Sequence, residues 1–484
     1  MIASILLSQS ALTQDSKLLK KLGKMHLLGS ILLAVNFVYC TAYRTPVNQI
    51  SNINQNENLC YKNLRLVYSW KSLDFLFPDA WTREQAILNK DFIPGAPFPI
   101  DVDASAIGPF GSRVFITIPR FQEGVPVTLG YVSNLTSSDG SPLIAPYPNW
   151  EMNQLGYCNH ITSVYRIKID ECGRLWVLDT GKLEDERKCP PQLFIFDLST
   201  DRLISRYQFP ESILKPESLL ITPIIDIRRQ CSDTFVYIAD VTEFQLIVYD
   251  FKNQNSWNIQ NRLFYPYPEY ATFTIAGESF DLMDGIFGLA LGPLAINGDR
   301  MLYFHSLASV IESYVPTSII RDSSLFLNHP DNAASAFQSF RLRRSSQSGP
   351  QAMTNDGILF YGLMGDTAIG CWNSKSYPEF GGPNLDYAVV NNKTLQFISG
   401  LKLITLGSKR EQIWVITGRF QKLMTGTLNA QEVNYRIQVA YIDDLISGTK
   451  CKSSQDSGHY HGTSHQNPSS LQNQNYHYSY GHHY

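Results

Sequence analysis

The sequence predicts an all-β protein, a six-bladed β-propeller, on three observations. Strand-like runs recur at a near-constant period, each run is bracketed by two further strand candidates, and one more run precedes the first unit without a unit of its own. RVFITIPR begins at 113, RLWVLDTG at 174, TFVYIADV at 234, RMLYFHSL at 300, GILFYGLM at 357 and QIWVITGR at 412. Successive starts differ by 61, 60, 66, 57 and 55 residues. The runs are rich in β-branched and aromatic residues, which suit a pleated, half-buried surface.

Before the six runs stand FPIDVDA, SVYRIKID, TPIIDIR, GIFGLALG, PQAMTN and GLKLITLG; after them stand VPVTLGYV, QLFIFDLS, FQLIVYDF, ASVIESYV, TAIGCWN and YRIQVAYI. Polar or glycine-rich turns (GPFGS, DECG, RQCSD, INGD, NDG, GSKRE) separate the first strand from the second, as tight hairpins require. Fourth strands follow in some units, as in RLISRYQF and SWNIQNRLF. Repeated antiparallel sheets of this size build a propeller rather than two sandwiches, with the first strand of each lining a central channel. The run NLRLVYSWKSLDFLF at 63–77 is expected to complete the last blade, because an unpaired edge there is a liability.

Outside the repeats the chain has three further parts. Residues 1–42 read as a secretory signal: KLLKKLGK precedes the apolar run Leu27 to Tyr39, too short for a comfortable membrane span, and Met25 is an alternative start. Residues 43–62 read as a linker, 63–451 as the propeller, and 452–484 as a disordered tail holding six of the ten histidines among Ser, Asn, Gln, Gly and Tyr. The tail can bind metal, cross-link through its Tyr and His side chains, or stay solvated. A net charge of -3 gives no basic groove for nucleic acid.

A secreted chain directs its cysteines to disulfides, and no CxxC pair suggests a zinc knuckle. Strand order puts Cys158 and Cys189 at one end of the second unit, and Cys172 and Cys231 at the other end of neighbouring units. Pairing 172 with 189 would span a strand, roughly 20 Å, beyond bond reach. The pairs 158–189 and 172–231 fit, with 158–231 also open; Cys371 with Cys451 would pin the C-terminus. Cys60 is then free or paired outside the chain. Asn134 and Asn392 head N-glycosylation sequons.

Asp179-Thr180-Gly181, ending an apolar strand, raises the question of an aspartic protease. Aligned by the repeat, however, Asp240 of VYIADVT occupies the same place, and no second Asp-Thr/Ser-Gly has similar surroundings. Asp179 therefore reads as a structural carboxylate at a strand terminus.

The segment GYCNHITSVYRIKIDECGRLWVLDTGKLEDERKCPPQLFIFDLSTDRLISRYQFP at 156–210 resembles the insect Yellow and major royal jelly protein family. So do LVYSWKSLDFLFP, PESLLITPIIDIR, TFVYIADVTEFQLIVYDF, FGLALGP and NDGILFYGLMGDTAIGCWN, in family order from about 60 to 450, and nearer the Yellow branch. The resemblance implies a secreted six-bladed propeller with roles in cuticle pigmentation and melanin metabolism. For some members it implies dopachrome conversion, and for salivary members binding of biogenic amines.

The channel is the expected small-molecule site. Residues beginning or ending the inner strands are the candidates: Thr162, Thr222, Asp284, Asn355 and Arg419, with Phe287 and Phe360 as aromatic walls. A catecholamine or indole ligand wants ring stacking and a carboxylate for its ammonium, which Asp284 can supply. Dopachrome tautomerisation needs a base for a C–H and a donor to the developing oxyanion; His160 and His305 are the candidate bases. A calcium-dependent propeller hydrolase would need Asp103, Asp170 and Asp226 in one coordination shell, yet they lie at differing offsets. Neither G-x-S-x-G, G-x-G-x-x-G nor a P-loop is present, so no cofactor and no bound metal are expected. The reading is a secreted pigmentation protein that binds, and in one version converts, a small aromatic amine or catechol derivative. The alternative is a non-enzymatic cuticle or matrix protein.

Overall fold

The computed structural model describes residues 64–452, apart from 110 and 407–409. Residues 1–42, expected to be a signal, Cys60 and the histidine-rich stretch after 452 lie outside them. Six four-stranded antiparallel sheets form a ring, a six-bladed β-propeller. The six sequence runs become the second strands: Arg113–Thr117, Arg174–Asp179, Thr234–Asp240, Met301–Ser306, Ile358–Leu363 and Gln412–Thr417.

The middles of these strands are apolar on both faces because neighbouring blades cover both, while polar residues such as Arg174 and Asp179 stand at their ends. In blade 2, Leu175 and Val177 pack towards blade 1 with Phe115 and Leu129, while Trp176 and Leu178 pack towards blade 3 with Val236 and Ile238. Alternation along a strand thus assigns each side chain to one of two interfaces.

The first strands line the axis: Asp101–Ser105, Val164–Ile169, Leu220–Ile227, Ile286–Leu291, Ser348–Met353 and Ile398–Ile404. Fourth strands are present in all six blades, more than the sequence suggested. That of blade 4 is the two-residue Gln338–Ser339, reached after a long excursion through the helix Thr317–Ile320. Blade 6 takes its outer strand from the other end of the chain: Arg65–Trp70 pairs with Tyr435–Tyr441, setting Arg65 opposite Val439 and Trp70 opposite Tyr435.

Disulfides join Cys158 to Cys189, Cys172 to Cys231 and Cys371 to Cys451. The first closes one end of blade 2, the second ties blade 2 to blade 3, and the third fastens the segment after blade 6 onto blade 5. Both sequon asparagines, Asn134 and Asn392, are exposed.

Several elements fall outside the repeat, and the sequence reading missed them. The helix Ala80–Leu88 starts where Asp79 accepts the Thr82 N–H at 2.7 Å, a side-chain N-cap. A two-stranded hairpin, Thr272–Ile275 with Glu278–Asp281, stands between blades 3 and 4. The helix Phe420–Met424 occupies the connection between the second and third strands of blade 6.

Candidate functional site

All six inner strands run the same way, so the channel has one end where they start and another where they finish. At the finishing end lies an open cavity of about 520 Å³, reached by Asp103, Lys168, Thr222, Gln351, Asn355 and Lys402 among others. Thr222 Oγ1 is buried there without a hydrogen-bond partner, and Asn355 is exposed at the rim. Beneath them an ionic lattice ties three blades together. Asp101 accepts from the Ile167 N–H at 3.0 Å and meets Lys402 Nζ at 2.9 Å; Asp103 accepts from the Ile169 N–H at 2.8 Å and lies 3.9 Å from Lys168 Nζ. Burial pushes Asp103 up and pulls Lys402 down.

The three aspartates considered for a calcium shell are apart, each with its own partners. Asp103 faces Lys168, Asp170 binds Arg174 at 2.7 Å and Trp176 Nε1 at 2.7 Å, and Asp226 binds Arg228 at 3.1 Å and the Tyr237 hydroxyl at 2.9 Å. Among the described residues no group of three or more His, Cys, Asp or Glu side chains could hold a metal ion.

The starting end is covered. The 272–281 hairpin and the 420–424 helix lie over it, and Phe273, Ile275 and Phe280 join Phe287, Phe397 and Phe420 in one apolar cluster. Phe420 packs 4.7 Å from Phe397 and 5.8 Å from Phe280 between ring centroids. Tyr165, from the inner strand of blade 2, reaches the same cluster and stands 5.6 Å from Phe121.

Asp284 lies on this end, just before the inner strand of blade 4. Among the described residues no hydrogen bond or ion pair reaches its carboxylate, and burial alone pushes it up to about 7. Its charge, together with that of Asp185, adds to the burial that raises the Tyr165 phenol. Phe287 sits nearby with one face occupied by the Arg166 guanidinium at 4.8 Å.

The remaining candidates are elsewhere. Phe360 is fully buried between blades 5 and 6, so it is no channel wall. Thr162 belongs to a staple: its N–H donates to Asp179 at 2.9 Å, as do those of Ser163 at 2.7 Å and Gly181 at 3.1 Å, while Gln192 Nε2 approaches at 3.1 Å. Arg419 stands at the N-terminal end of the 420–424 helix without a side-chain capping bond, and pairs with Glu432. His160 packs 5.0 Å from Tyr157 beside the Cys158–Cys189 bridge, its Nδ1 buried without a partner.

His305 is sealed between blades 4 and 5. Its Nδ1 faces Glu312 at 2.9 Å and its Nε2 faces the Ser348 and Gly349 carbonyls at 3.1 and 3.0 Å. Both ring nitrogens are taken, so it has no free lone pair to offer a ligand. Burial and the Arg344 charge push it down, against the pull of Glu312.

The major royal jelly protein family model matches residues 162–451. Protein yellow of Drosophila yakuba is 36% identical over 396 residues, covering 79% of this chain and 70% of that protein. The chain belongs to the Yellow and major royal jelly protein family. Protein yellow of Drosophila melanogaster is 35% identical, with 79% and 70% covered. Among solved structures, an α-L-arabinofuranosidase from Fusarium graminearum aligns with a TM-score of 0.39 at 8% identity, covering 78% of this chain and all of that one.

In this Yellow-family propeller the groups that sequence reasoning missed are Tyr165 and the covering aromatics Phe273, Phe280 and Phe420. One signal was present: TFTI-AG-ESFD alternates apolar and polar residues about an Ala-Gly turn, the pattern of a one-faced hairpin.

Proposed function

We propose that this Yellow-family protein is secreted and binds a small aromatic amine or catechol-derived ligand at the covered end of its channel, in melanin and cuticle pigmentation. Asp284 carries the reading. A carboxylate with no side-chain hydrogen bond or ion pair, close enough to the Tyr165 phenol to help raise it and three residues before Phe287 of the apolar cluster, favours an incoming ammonium whose ring stacks on those walls. The three disulfides support an oxidising compartment.

The same geometry supports conversion of a dopachrome-like quinone. A carboxyl near 7 exists in part as the carboxylate at neutral pH and in part as the acid, the condition for a proton acceptor that can return its proton. Asp284 would take the proton from carbon, the electron pair would enter the ring, and the proton would end on the quinone oxygen, returned from Asp284, with the Tyr165 phenol hydrogen-bonding to that oxygen as it gains charge. Asp284 replaces His160 and His305 as the base in this reading, because neither histidine lines the channel.

Calorimetry with dopamine and spectroscopy of dopachrome test it together. Asp284→Asn should weaken dopamine binding by at least about tenfold, the scale of one charge-assisted contact, and abolish protein-dependent loss of the orange chromophore. Equal dopamine affinity in the two proteins would remove Asp284 from the site.

A further inference from the structure

The hairpin over the covered end has a construction unlike that of the blades. It pairs only with itself, and its side chains alternate: Thr272 and Thr274 face out, while Phe273, Ile275 and Phe280 face the channel. Its turn uses two left-handed residues, Ala276 at φ 50° and Gly277 at φ 87°. Its root is fixed to the ring, since Gln347 Nε2 donates to the Tyr270 and Thr272 carbonyls at 3.1 and 2.8 Å. The tip crosses from blades 3 and 4 to the far side of the ring. There Glu278 accepts from Lys422 Nζ at 2.5 Å, Thr425 Oγ1 at 2.6 Å and Thr427 Oγ1 at 2.5 Å. Among the described residues, no other hydrogen bond or ion pair joins the hairpin to blade 6.

The hairpin's exit leg carries Asp284. Leu282 closes the hairpin base by donating to the Ala271 carbonyl at 2.9 Å, and Gly285 is held to the Val241 carbonyl at 2.8 Å. A Cβ on Gly285 would lie 2.3 Å from Phe244 Cδ1 and 2.6 Å from the Phe264 carbonyl, so that residue is clamped in place. Asp284 is itself held through its carbonyl, which accepts from the Ala308 N–H at 3.1 Å, so only Met283 lies between the fixed points, and it is exposed. A movement of the strap therefore pivots next to Asp284.

We propose that the 272–281 hairpin is a latched strap gating the Asp284 end of the channel, with Glu278 as the latch. What enters rests on the ligand reading given above; the latch does not. Three donors converge on one carboxylate at the tip, while the rest of the contact to blade 6 is apolar and can slide. Lys422 and the two threonines together hold Glu278 at about 2, so the latch carries its charge throughout the physiological range.

Glu278→Gln tests the strap, since the substitution is near the surface and keeps the side chain's shape. Hydrogen exchange by mass spectrometry should show the amides of 272–281 exchanging roughly tenfold faster than in wild type, with the blade strands unchanged. In stopped-flow mixing with tryptamine, association and dissociation rate constants should both rise several-fold while the dissociation constant stays within about twofold, the signature of a gate rather than a contact. Hairpin exchange unchanged by the substitution overturns the latch, and so does a loss of tryptamine affinity with unchanged rates of entry. If wild type fails to bind tryptamine, the ligand reading falls; hydrogen exchange then still decides the strap.

Discussion

Asp179 and Asp284 both lie where inner strands begin, and their surroundings give them opposite roles. Asp179 is fully buried, but backbone N–H groups of Thr162, Ser163 and Gly181 and the Gln192 amide satisfy it. Asp240 repeats the device one blade on, accepting from the Leu219 N–H at 2.9 Å and Gln245 Nε2 at 2.9 Å. These carboxylates stitch a second strand to the start of its own first strand, a task that Asp179-Thr180-Gly181 and Asp240-Val241-Thr242 perform alike. Burial pushes both carboxyls up, at Asp179 against the pull of these donors; Asp284 has none and is pushed up to about 7. Its folded form thus keeps a proton that the unfolded chain releases, so its stabilising contribution is full below about pH 4 and is lost as pH rises towards 7. Urea unfolding between about pH 4.5 and 7.5 should show wild type losing a few kcal/mol relative to Asp284→Asn, the scale of a shift of this size. A constant difference across that range would contradict the raised carboxyl. The repeat made Asp179 legible from the sequence; Asp284's missing partners were not, since they depend on what segments distant along the chain leave unfilled.

Strands were the legible elements because burial on both faces writes long apolar runs into the sequence, and turn residues punctuate them. The hairpin and the 420–424 helix were not, since each occurs once and follows no period. Cross-links act at this scale as well. Cys172 and Cys231, 59 residues apart, join the first turns of blades 2 and 3, where Arg174 also donates to the Cys231 carbonyl at 2.6 Å. Chain-entropy reasoning assigns about 4 kcal/mol to a loop of that length. Replacing both cysteines by alanine should lower the unfolding free energy by about that amount and leave ligand affinity unchanged, because the bridge lies at the end of the ring opposite Asp284. Denaturant unfolding measures the first effect and calorimetry the second.

A propeller stands as a whole only when its ring closes, and here the closure joins residues from opposite ends of the chain. Trp70 is 1% exposed at the end of the closing strand, packs in the core between blades 6 and 1, and donates from Nε1 to the Pro142 carbonyl at 2.8 Å. Trp70→Ala should cost about 3–5 kcal/mol, the usual toll of truncating a buried aromatic. Hydrogen exchange should localise the loosening first to blades 1 and 6. Exchange that rises equally in blade 3 would mean that the ring does not open at its seam.

The sequence by itself determined the number of blades, the order of their strands and the closing strand. Those properties follow from local rules, alternation and turn chemistry, repeated often enough to be read. It also carried the family, because long motifs survive in order. Only the tertiary structure decided which channel residues act together. It split Thr222 and Asn355 from Asp284 and Phe287, buried Phe360 and His305 between blades, and laid an unpredicted hairpin over one end. The physical reason is that a site is made by groups left without partners, and whether a group has a partner is settled by segments far away along the chain.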